Sequence, residues 1–359
     1  MRTIPEMKVV VVGAGYAGML AANRVARKVK EAAEVTVVNP RPDFVERVRL
    51  HQQVAGTAVA ATPIASMLRN GAVLKVGAVD RIGDGCVVLD GGTRLDFDWA
   101  FLAVGSTVRP LPGTVPVGTW EGAEWARVAL AALAAGRTVT VVGGGATGIE
   151  TAAEVAWARP DLKVRIVGPA VGDTFTDRAN EKVRAGLERL RVEIVDDSAT
   201  EVGDGAVHLR SGLSLLSDLT LWAIVSGVPD LATRSGLTVD GDGRAVVEAS
   251  LRSVDDERIF AVGDCAAVPG ARFACALAGP QAAHAVDNVA RLITGRAPVS
   301  YTPRYVARAV TLGRDNAVGQ FTRRDDTLRR VHVSGRTGVV IKELASRGGK
   351  YGARTGTGG

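Results

Sequence analysis

The clearest hydrophobic pattern in the chain is a strand, helix and strand unit that occurs twice. The first copy has an apolar run, an amphipathic stretch and a β-branched run at 8–12, 17–29 and 34–38. The second copy begins 130 residues later, with the corresponding runs at 138–142, 149–158 and 163–167. Each copy has a glycine-rich turn between its first strand and its helix. The repeat predicts an α/β fold with two similar βαβ units.

The stretches outside the repeat predict smaller elements. Between the copies, short strand-like runs separated by Gly and Asp turns predict a meander attached to the first sheet, at 73–79, 86–89 and 99–104. After the second copy, a buried strand is predicted at 259–262 and a helix at 281–292, opened by Gly279 and Pro280. Alternating stretches at 305–312 and 327–333 predict a small C-terminal sheet. The tail from Arg347, rich in Gly, Arg and Thr, is predicted to be disordered.

Composition narrows the class of protein. The 359 residues, 47% hydrophobic and 23% charged, predict two or three globular domains with a large core. The net charge is +6, but the basic residues are scattered among acids, so no nucleic-acid surface is expected. Three widely spaced cysteines form no CxxC pair, which disfavours dithiol chemistry and a metal site. No signal-type segment and no apolar run long enough to span a membrane is present, so we expect a cytoplasmic protein.

The first glycine-rich turn reads Gly13-Ala14-Gly15-Tyr16-Ala17-Gly18. In such a turn the first glycine permits a tight bend, the second lets a pyrophosphate approach the backbone, and the third lets the helix pack closely on the strand. The phosphate would then lie at the N-terminus of the helix. The alternative is an ordinary turn, but the order of strand, loop, helix and strand favours a dinucleotide site.

The second turn, Gly143-Gly144-Gly145-Ala146-Thr147-Gly148, precedes Glu150 in the same structural context. Two such sites in one chain indicate two nucleotides, one held permanently and one exchanged. This is the arrangement of a flavoprotein reductase, in which NAD(P)H delivers a hydride to a bound flavin.

With these motifs in place, the chain resembles the pyridine-nucleotide-disulfide-reductase-like flavoproteins, and among them the type II NADH dehydrogenases and apoptosis-inducing-factor-like oxidoreductases. The resemblance also rests on Ala103-Val104-Gly105 and on the segment Ile259 to Asp264. It implies two Rossmann-like domains and a small C-terminal α+β domain. The implied bounds are 1–110 with 245–298 for the FAD-binding domain, 111–244 for the NAD(P)H-binding domain and 299–359 for the C-terminal domain.

The resemblance also implies the cofactor sites. FAD would lie on the first glycine turn, with its adenosine ribose near Asn39 and its adenine near the backbone of Val79, and Asp264 would hold the ribityl or phosphate region. The residues implied to contact FAD are Gly13, Gly15, Ala17, Gly18, Asn39, Arg47, Val79, Ala103, Gly105, Gly263, Asp264, Gln281 and Ala282. The co-substrate NAD(P)H would contact Gly143, Gly145, Thr147 and Gly148.

Three residues are implied to be catalytic. Glu150 occupies the place of a carboxylate beside the nicotinamide and the flavin, although a plain helix-opening acid is the alternative. Gln281 would open a helix whose positive end faces the flavin pyrimidine ring, or it is a solvated helix-start residue. His51, with Arg47 and Arg49, would interact with Glu150 or with FAD phosphates, or the three form an exposed basic helix face.

Four positions depart from the family pattern. Asn39 stands where an acid accepts two ribose hydroxyls, and Gly168 stands where an acid selects NADH over NADPH. Val225 falls near a glycine position beside the nicotinamide nucleotide. Ala285 replaces a second glutamine that is frequent in quinone-reducing relatives. The Gly-rich stretch 347–352 also offers no apolar face for a bilayer, which favours a soluble acceptor.

The leading expectation is an FAD-dependent NAD(P)H oxidoreductase that reduces a quinone-like or aromatic small molecule, and a homodimer is the assembly considered for it. One alternative is a reductase of ferredoxin or rubredoxin. The other is a flavoprotein of a specialised pathway in which FAD is a scaffold or orients a substrate and NAD(P)H reacts poorly.

Overall fold

A computed structural model describes residues 7–29 and 32–358. The remaining residues, 1–6, 30–31 and 359, belong to the predicted FAD-binding domain and to the predicted tail, and they lie outside the described residues. The first part of the chain contains β1 (Met7–Val12), α1 (Tyr16–Val29), β2 (Ala33–Asn39), β3 (Asp43–Val45), α2 (Leu50–Val54), β4 (Ala61–Pro63), β5 (Ala72–Val76), β6 (Val79–Gly83), β7 (Cys86–Leu89), β8 (Arg94–Asp96) and β9 (Trp99–Leu102).

The middle of the chain contains the second copy. Its elements are β10 (Val115–Pro116), α3 (Trp120–Ala132), β11 (Thr138–Val142), α4 (Ala146–Ala158), β12 (Lys163–Val167), α5 (Asp177–Arg189), β13 (Glu193–Val195), β14 (Ala199–Gly203), β15 (Ala206–Leu209), β16 (Ser214–Leu216) and β17 (Leu219–Trp222). The predicted strands and helices of both βαβ units are observed, with ends shifted by at most three residues.

The last part returns to the first sheet before forming its own layer. It contains α6 (Leu231–Arg234), β18 (Ala245–Val246), β19 (Ile259–Ala261), β20 (Ala266–Ala267), α7 (Cys275–Ile293), β21 (Ala307–Thr311), β22 (Ala317–Thr322), β23 (Leu328–Ser334) and α8 (Gly335–Thr355). The small C-terminal sheet expected from the alternating pattern is the antiparallel sheet β21-β22-β23.

The two large sheets are parallel and have equivalent strand orders, β19-β9-β1-β2-β5 and β10-β17-β11-β12-β13. Their central strands are runs of valine buried on both faces, which is the pattern that a parallel sheet covered by helices requires. Each sheet also has an antiparallel meander, β6-β7-β8 in the first and β14-β15-β16 in the second. The sequence predicted a meander from the runs at 73–79, 86–89 and 99–104, but only 86–89 lies in the first meander, as β7. The other two runs are mainly β5 and β9, which are parallel strands of the first large sheet. The second meander was not predicted. The fold is therefore α/β with two Rossmann-type sheets, as predicted.

The C-terminal sheet packs on the second unit rather than standing apart. Val310, Leu312 and Val318 lie in the same buried core as the second sheet, and so do Leu50 and Val54 of α2. Residues from the first unit, the second unit and the C-terminal sheet therefore meet in one place, beside α4.

The tail from Arg347 is not disordered. It is the last part of α8, a helix of 21 residues that packs along α1. The side-chain amide of Asn23 donates to the backbone oxygen of Ala353 over 2.7 Å, and Lys350 donates to the buried carboxylate of Glu46 over 2.7 Å. Low local helix propensity is overridden here by tertiary contacts that the sequence pattern does not show.

Helix α8 also differs from the expectation of a C-terminus without an apolar face. Val340, Ile341 and Leu344 are exposed on it, one turn or two before the Gly-rich stretch. The argument for a soluble acceptor from the C-terminal composition therefore loses its basis.

The helix predicted to open at Gln281 begins six residues earlier, at Cys275. Pro280 lies inside it, where it removes one backbone hydrogen bond. The additional turn is held by Leu277, whose side chain is buried. Gln281 is thus in the second turn of α7 and not at its positive end.

Candidate functional site

The first glycine turn has the geometry that its three glycines require. Gly13 has a φ of +98°, and a Cβ there would lie 2.5 Å from the backbone oxygen of Ala103. A Cβ on Gly18 would overlap the backbone oxygen of Gly13. A Cβ on Gly15, by contrast, meets no atom within 4 Å. The turn therefore leaves open space at the glycine where a pyrophosphate would approach the backbone.

The second turn repeats this geometry. Gly143 has a φ of +133°, a Cβ on Gly148 would overlap the backbone oxygen of Gly143, and a Cβ on Gly145 meets nothing within 4 Å. Gly145 is the N-cap of α4, and Thr147 is half-buried in the first turn of that helix. Both turns therefore fit a dinucleotide phosphate.

Asn39 lies at the end of β2 and is bonded to the first glycine turn. Its side-chain oxygen accepts the backbone N–H of Ala14 over 3.0 Å, and its amide donates to the backbone oxygen of Arg41 over 2.8 Å. Its backbone oxygen accepts the N–H of Gly77, two residues before Val79 at the start of β6. The side-chain oxygen of Asn39 is thus already bonded to the glycine turn, and it can accept one further hydrogen bond, from a ribose hydroxyl.

A polar chain joins Arg47 to Asp264. The guanidinium of Arg47 donates to the backbone oxygen of Ser106 over 2.8 Å, and the Ser106 hydroxyl donates to Asp264 over 2.8 Å. Burial lowers the pKa of Arg47, while the charge of Asp264 opposes this shift. Gly105, with a φ of +69°, lies against Arg47. Ser106 is a contact that sequence reasoning missed.

Gln281 lies beside Gly263 and Asp264, next to the polar chain from Arg47 to Asp264. Its side-chain oxygen accepts the backbone N–H of Gly263 over 2.7 Å, and a Cβ on Gly263 would contact Ala17 at 3.5 Å. Gln281 is buried, and so is its neighbour Ala282. Gln281 is therefore not a solvated helix-start residue. The structure brings it together with Gly263 and the first glycine turn.

Glu150 is buried on α4 and is bound by the C-terminal part of the chain. One of its oxygens accepts the backbone N–H of Thr311 over 2.9 Å and the Thr311 hydroxyl over 2.8 Å. It also forms an ion pair with Lys342 of α8. Burial lowers the pKa of Lys342 to about 7, with a smaller effect of Arg49 in the same direction, while the charge of Glu343 opposes the shift. Neither partner of Glu150 was predicted.

A second buried carboxylate lies one turn further along α4. Glu154 is 1% exposed, forms an ion pair with Arg314 at 2.8 Å and accepts the Thr57 hydroxyl over 2.5 Å. Burial raises the pKa of Glu154, and its two partners oppose the shift. Sequence reasoning missed this residue, although two acids at i and i+4 on an otherwise apolar helix were a usable signal.

His51 lies on α2 at the same junction. Its side chain is buried, and within the described residues its Nε2 has no hydrogen-bond partner. Burial, followed by the charges of Lys342, Arg314 and Arg49, lowers the pKa of His51 well below its usual value. The ring is therefore neutral at neutral pH, and it does not belong to an exposed basic helix face.

Arg49 has different partners from those considered for it. Its guanidinium donates to both oxygens of Glu343 over 2.9 Å and contacts Glu46 at 3.3 Å. It therefore holds α8 against the loop before α2 and does not pair with Glu150.

The departures at Gly168 and Val225 have different structural contexts. Gly168 is buried against the second glycine turn, and a Cβ there would lie 2.5 Å from the backbone nitrogen of Gly144. No side chain, acidic or otherwise, can be placed at Gly168 without moving that turn. Val225 is partly exposed in the loop after β17, where Ile224 lies against Gly143.

Among the described residues there is neither a metal-binding cluster nor a membrane-spanning helix. In the part of the chain that the structure describes, no three His, Cys, Asp or Glu side chains are grouped to hold a metal ion. Within the same residues, no helix combines the length and the apolar character needed to cross a bilayer.

Comparison with known proteins agrees with this geometry. The sequence model of the pyridine nucleotide-disulphide oxidoreductase family matches residues 7–288. An NADH dehydrogenase-like protein of Mycobacterium tuberculosis is 32% identical over 294 residues, which cover 72% of this chain and 73% of that protein. The chain belongs to the pyridine nucleotide-disulphide oxidoreductase family. It is an oxidoreductase that uses FAD and NAD(P)H.

Solved structures show the same fold at low sequence identity. The sulfide:quinone oxidoreductase of Aquifex aeolicus superposes with a TM-score of 0.82 at 16% identity, covering 98% of this chain and 92% of that one. NDH2 from Plasmodium falciparum, solved with NADH, gives a TM-score of 0.80 at 16% identity, with 97% of each chain covered.

Proposed function

We propose that this protein transfers electrons from NAD(P)H, by way of FAD, to a quinone-like or aromatic small molecule. The observation that carries the proposal is the pair of matching glycine turns, each with open space at its middle glycine. Beside α4, between these turns and the C-terminal sheet, three parts of the chain bring polar groups together. The relatives named for NADH dehydrogenation and quinone reduction support the acceptor class.

FAD would lie on the first turn. Gly15 admits its pyrophosphate, Asn39 contributes to ribose binding, and the edge formed by Asp264, Gln281 and Arg47 lies where the ribityl chain and the flavin ring follow. Ala17, Val79, Ala103, Gly105, Gly263 and Ala282 line the same path. FAD supplies reversible storage of a hydride equivalent between donor and acceptor.

NAD(P)H would lie on Gly143, Gly145, Thr147 and Gly148, with its phosphates at the N-terminus of α4. Glu150 follows on the same helix, close to where the nicotinamide would meet the flavin. Because Thr311 and Lys342 both bind its carboxylate, the orientation of Glu150 is fixed before a substrate arrives.

The overall reaction balances with one hydride and one proton. NAD(P)H gives up the hydride and becomes NAD(P)+, and the quinone takes up the hydride and a solvent proton to become a hydroquinone. The chain's own residues bind the reactants and hold Glu150.

Anaerobic stopped-flow mixing of the purified holoenzyme with NADH and with NADPH tests the proposal. We expect the flavin absorbance to bleach rapidly with at least one of them, and a soluble quinone to restore it. A flavin that bleaches but is reoxidised only by ferredoxin or rubredoxin would replace the quinone by a protein acceptor. A flavin that stays oxidised would favour the scaffold alternative.

A further inference from the structure

A small cavity lies where the three parts of the chain meet. It is open to solvent on one side and is lined by the loop and helix around 48–52, by Glu154 on α4, by the turn 311–314 and by α8 from Val339 to Ser346. Its volume is about 50 Å³. This is room for a carbonyl group and the atoms next to it, and the remainder of a larger ligand would extend through the open side.

His51 gives this cavity an unused hydrogen-bonding group. The residue is 6% exposed and lines the cavity, and its Nε2 has no partner among the described residues. A buried polar atom without a hydrogen-bond partner destabilises the protein, because it has lost its hydrogen bonds to water. A ligand that supplies the partner is favoured because it removes this destabilisation.

The charges around the cavity define the kind of ligand atom that fits. Lys342, Arg314 and Arg49 all carry hydrogen-bond donors and no acceptors, and all three raise the electrostatic potential at His51. Such an environment favours an electronegative oxygen.

The same cations are already ion-paired, Lys342 with Glu150, Arg314 with Glu154 and Arg49 with Glu343. The cavity is therefore close to neutral overall. A neutral oxygen that gains negative charge during the reaction fits it better than a group that is anionic throughout.

We infer that this cavity receives a carbonyl oxygen of the electron acceptor and that the N–H of His51 Nε2 donates a hydrogen bond to it. The inference rests on the proposed function and narrows it to quinones and other conjugated carbonyl compounds. His51 is then an acceptor-binding residue. The nicotinamide carboxamide and a carbonyl oxygen of the flavin are the competing partners for His51. The test separates them from the acceptor, because a flavin carbonyl bound to His51 would leave its signal unmoved by either added ligand.

Binding is tested by histidine ring ¹⁵N NMR of the oxidised holoenzyme. The chain has only 4 His, so the ring signals can be assigned by substitution. Tetramethyl-1,4-benzoquinone should move one signal, and that signal should be missing in His51→Gln. If NAD+ moves the His51 signal and the quinone does not, the cavity holds the carboxamide and the inference fails. No movement with either ligand also overturns it.

Turnover provides the second test, with ferricyanide as an acceptor that has no carbonyl oxygen. In His51→Leu, the ratio of kcat/KM for the quinone to that for ferricyanide should fall at least tenfold. His51→Gln, which keeps an N–H donor, should recover part of the loss and covers the case that the leucine variant does not fold. His208→Gln makes the same chemical change on β15, far from the cavity, and should leave the ratio as in the wild type.

The failure of this inference differs from the failure of the proposed function. A wild-type enzyme that reduces ferricyanide but no quinone contradicts the proposed acceptor class. A wild-type enzyme that reduces quinones, with an unchanged acceptor ratio in both His51 variants, contradicts only the role of His51.

Discussion

The two βαβ units have nearly the same backbone but very different surroundings. In both, the first glycine donates its N–H to the last residues of the second strand, and the third glycine packs on the first. An aspartate is also repeated, Asp98 before β9 and Asp218 before β17. Asp98 accepts the backbone N–H of Lys8 and Asp218 accepts that of Thr138, both over 2.7 Å. The units thus share the features that hold a glycine turn in place.

The units differ on the outer face of their helices. Glu150 and Glu154 on α4 correspond, at the offset of 130 residues between the units, to Leu20 and Arg24 on α1. Leu20 is buried in the first core, and Arg24 pairs with Asp287 of α7. At these positions α1 packs against the first core and α7, whereas α4 has two buried carboxylates that face the C-terminal sheet and α8. The same backbone unit therefore has two different surroundings, because different parts of the chain pack against its helix in each copy.

They also differ at the end of the second strand. Asn39 in the first unit places a polar side chain against its glycine turn, while Gly168 in the second has no room for any side chain. In the proposed assignment, a nucleotide on the first unit would have a side-chain partner for its ribose, and one on the second unit would rely on the backbone and on residues further away. This suits a retained cofactor on the first unit and an exchanged one on the second.

The largest effect should come from placing a side chain at the middle glycine of each glycine turn, in two separate variants. Gly15→Val should abolish retention of FAD, because its side chain would occupy the space of the pyrophosphate, and the purified protein should be colourless. Gly145→Val should keep FAD but slow flavin reduction by NAD(P)H at least tenfold, worth about 1.4 kcal/mol. Visible absorbance and stopped-flow reduction measure the two effects.

Gly203→Val is the matched control for both, since its Cβ also meets nothing within 4 Å and it lies on β14 of the second unit's meander. It should behave as the wild type. If Gly145→Val lost FAD and Gly15→Val kept it, the assignment of the two nucleotides to the two units would be reversed.

A smaller effect is expected from Glu150→Gln, which removes the charge that distinguishes α4 from α1. Flavin reduction should slow by about 10- to 100-fold, with FAD content unchanged. The melting temperature should also fall, because Lys342 loses its carboxylate partner inside the protein. Single-turnover kinetics and thermal denaturation measure these effects.

Glu193→Gln removes an acid from an exposed ion pair with Arg165 on the same domain and should change neither quantity. Wild-type reduction and reoxidation rates in Glu150→Gln would show that Glu150 only joins α4 to the C-terminal part of the chain.

The smallest effect concerns nucleotide preference, which sharpens the contrast between Asn39 and Gly168. Because no acid can stand at Gly168 to repel a 2′-phosphate, NADPH should be used at least as well as NADH. The measurement is kcat/KM for both nucleotides. A tenfold selectivity for NADH would mean that a residue away from this strand end decides.

The two glycine turns and the parallel sheets could be predicted from the sequence because their cause is local. A valine run buried on both faces, and glycines that alone permit a positive φ or a close approach, are visible in the order of residues. The same holds for Asn39 and Gly168, whose positions follow from counting along the unit.

The partners of Glu150 and His51 could not be predicted in this way. Thr311 and Lys342 are separated from Glu150 by more than 150 residues, and no spacing rule relates them. The helix at the C-terminus could not be predicted for the same reason. Residues 347–355 have the composition of a disordered segment, and contacts with Asn23 and Glu46 of the first unit hold them in place.

The sequence by itself thus determined the α/β class and the two glycine-rich turns, since local sterics and hydrophobic period are sufficient for these. Its motifs also indicated an oxidoreductase that uses FAD and NAD(P)H, through their resemblance to a known family. Only the tertiary structure decided where the two acids of α4 find their cations, and why a neutral histidine faces a polar cavity. These depend on which distant helices pack together, and the free energy of that packing is a property of the whole chain.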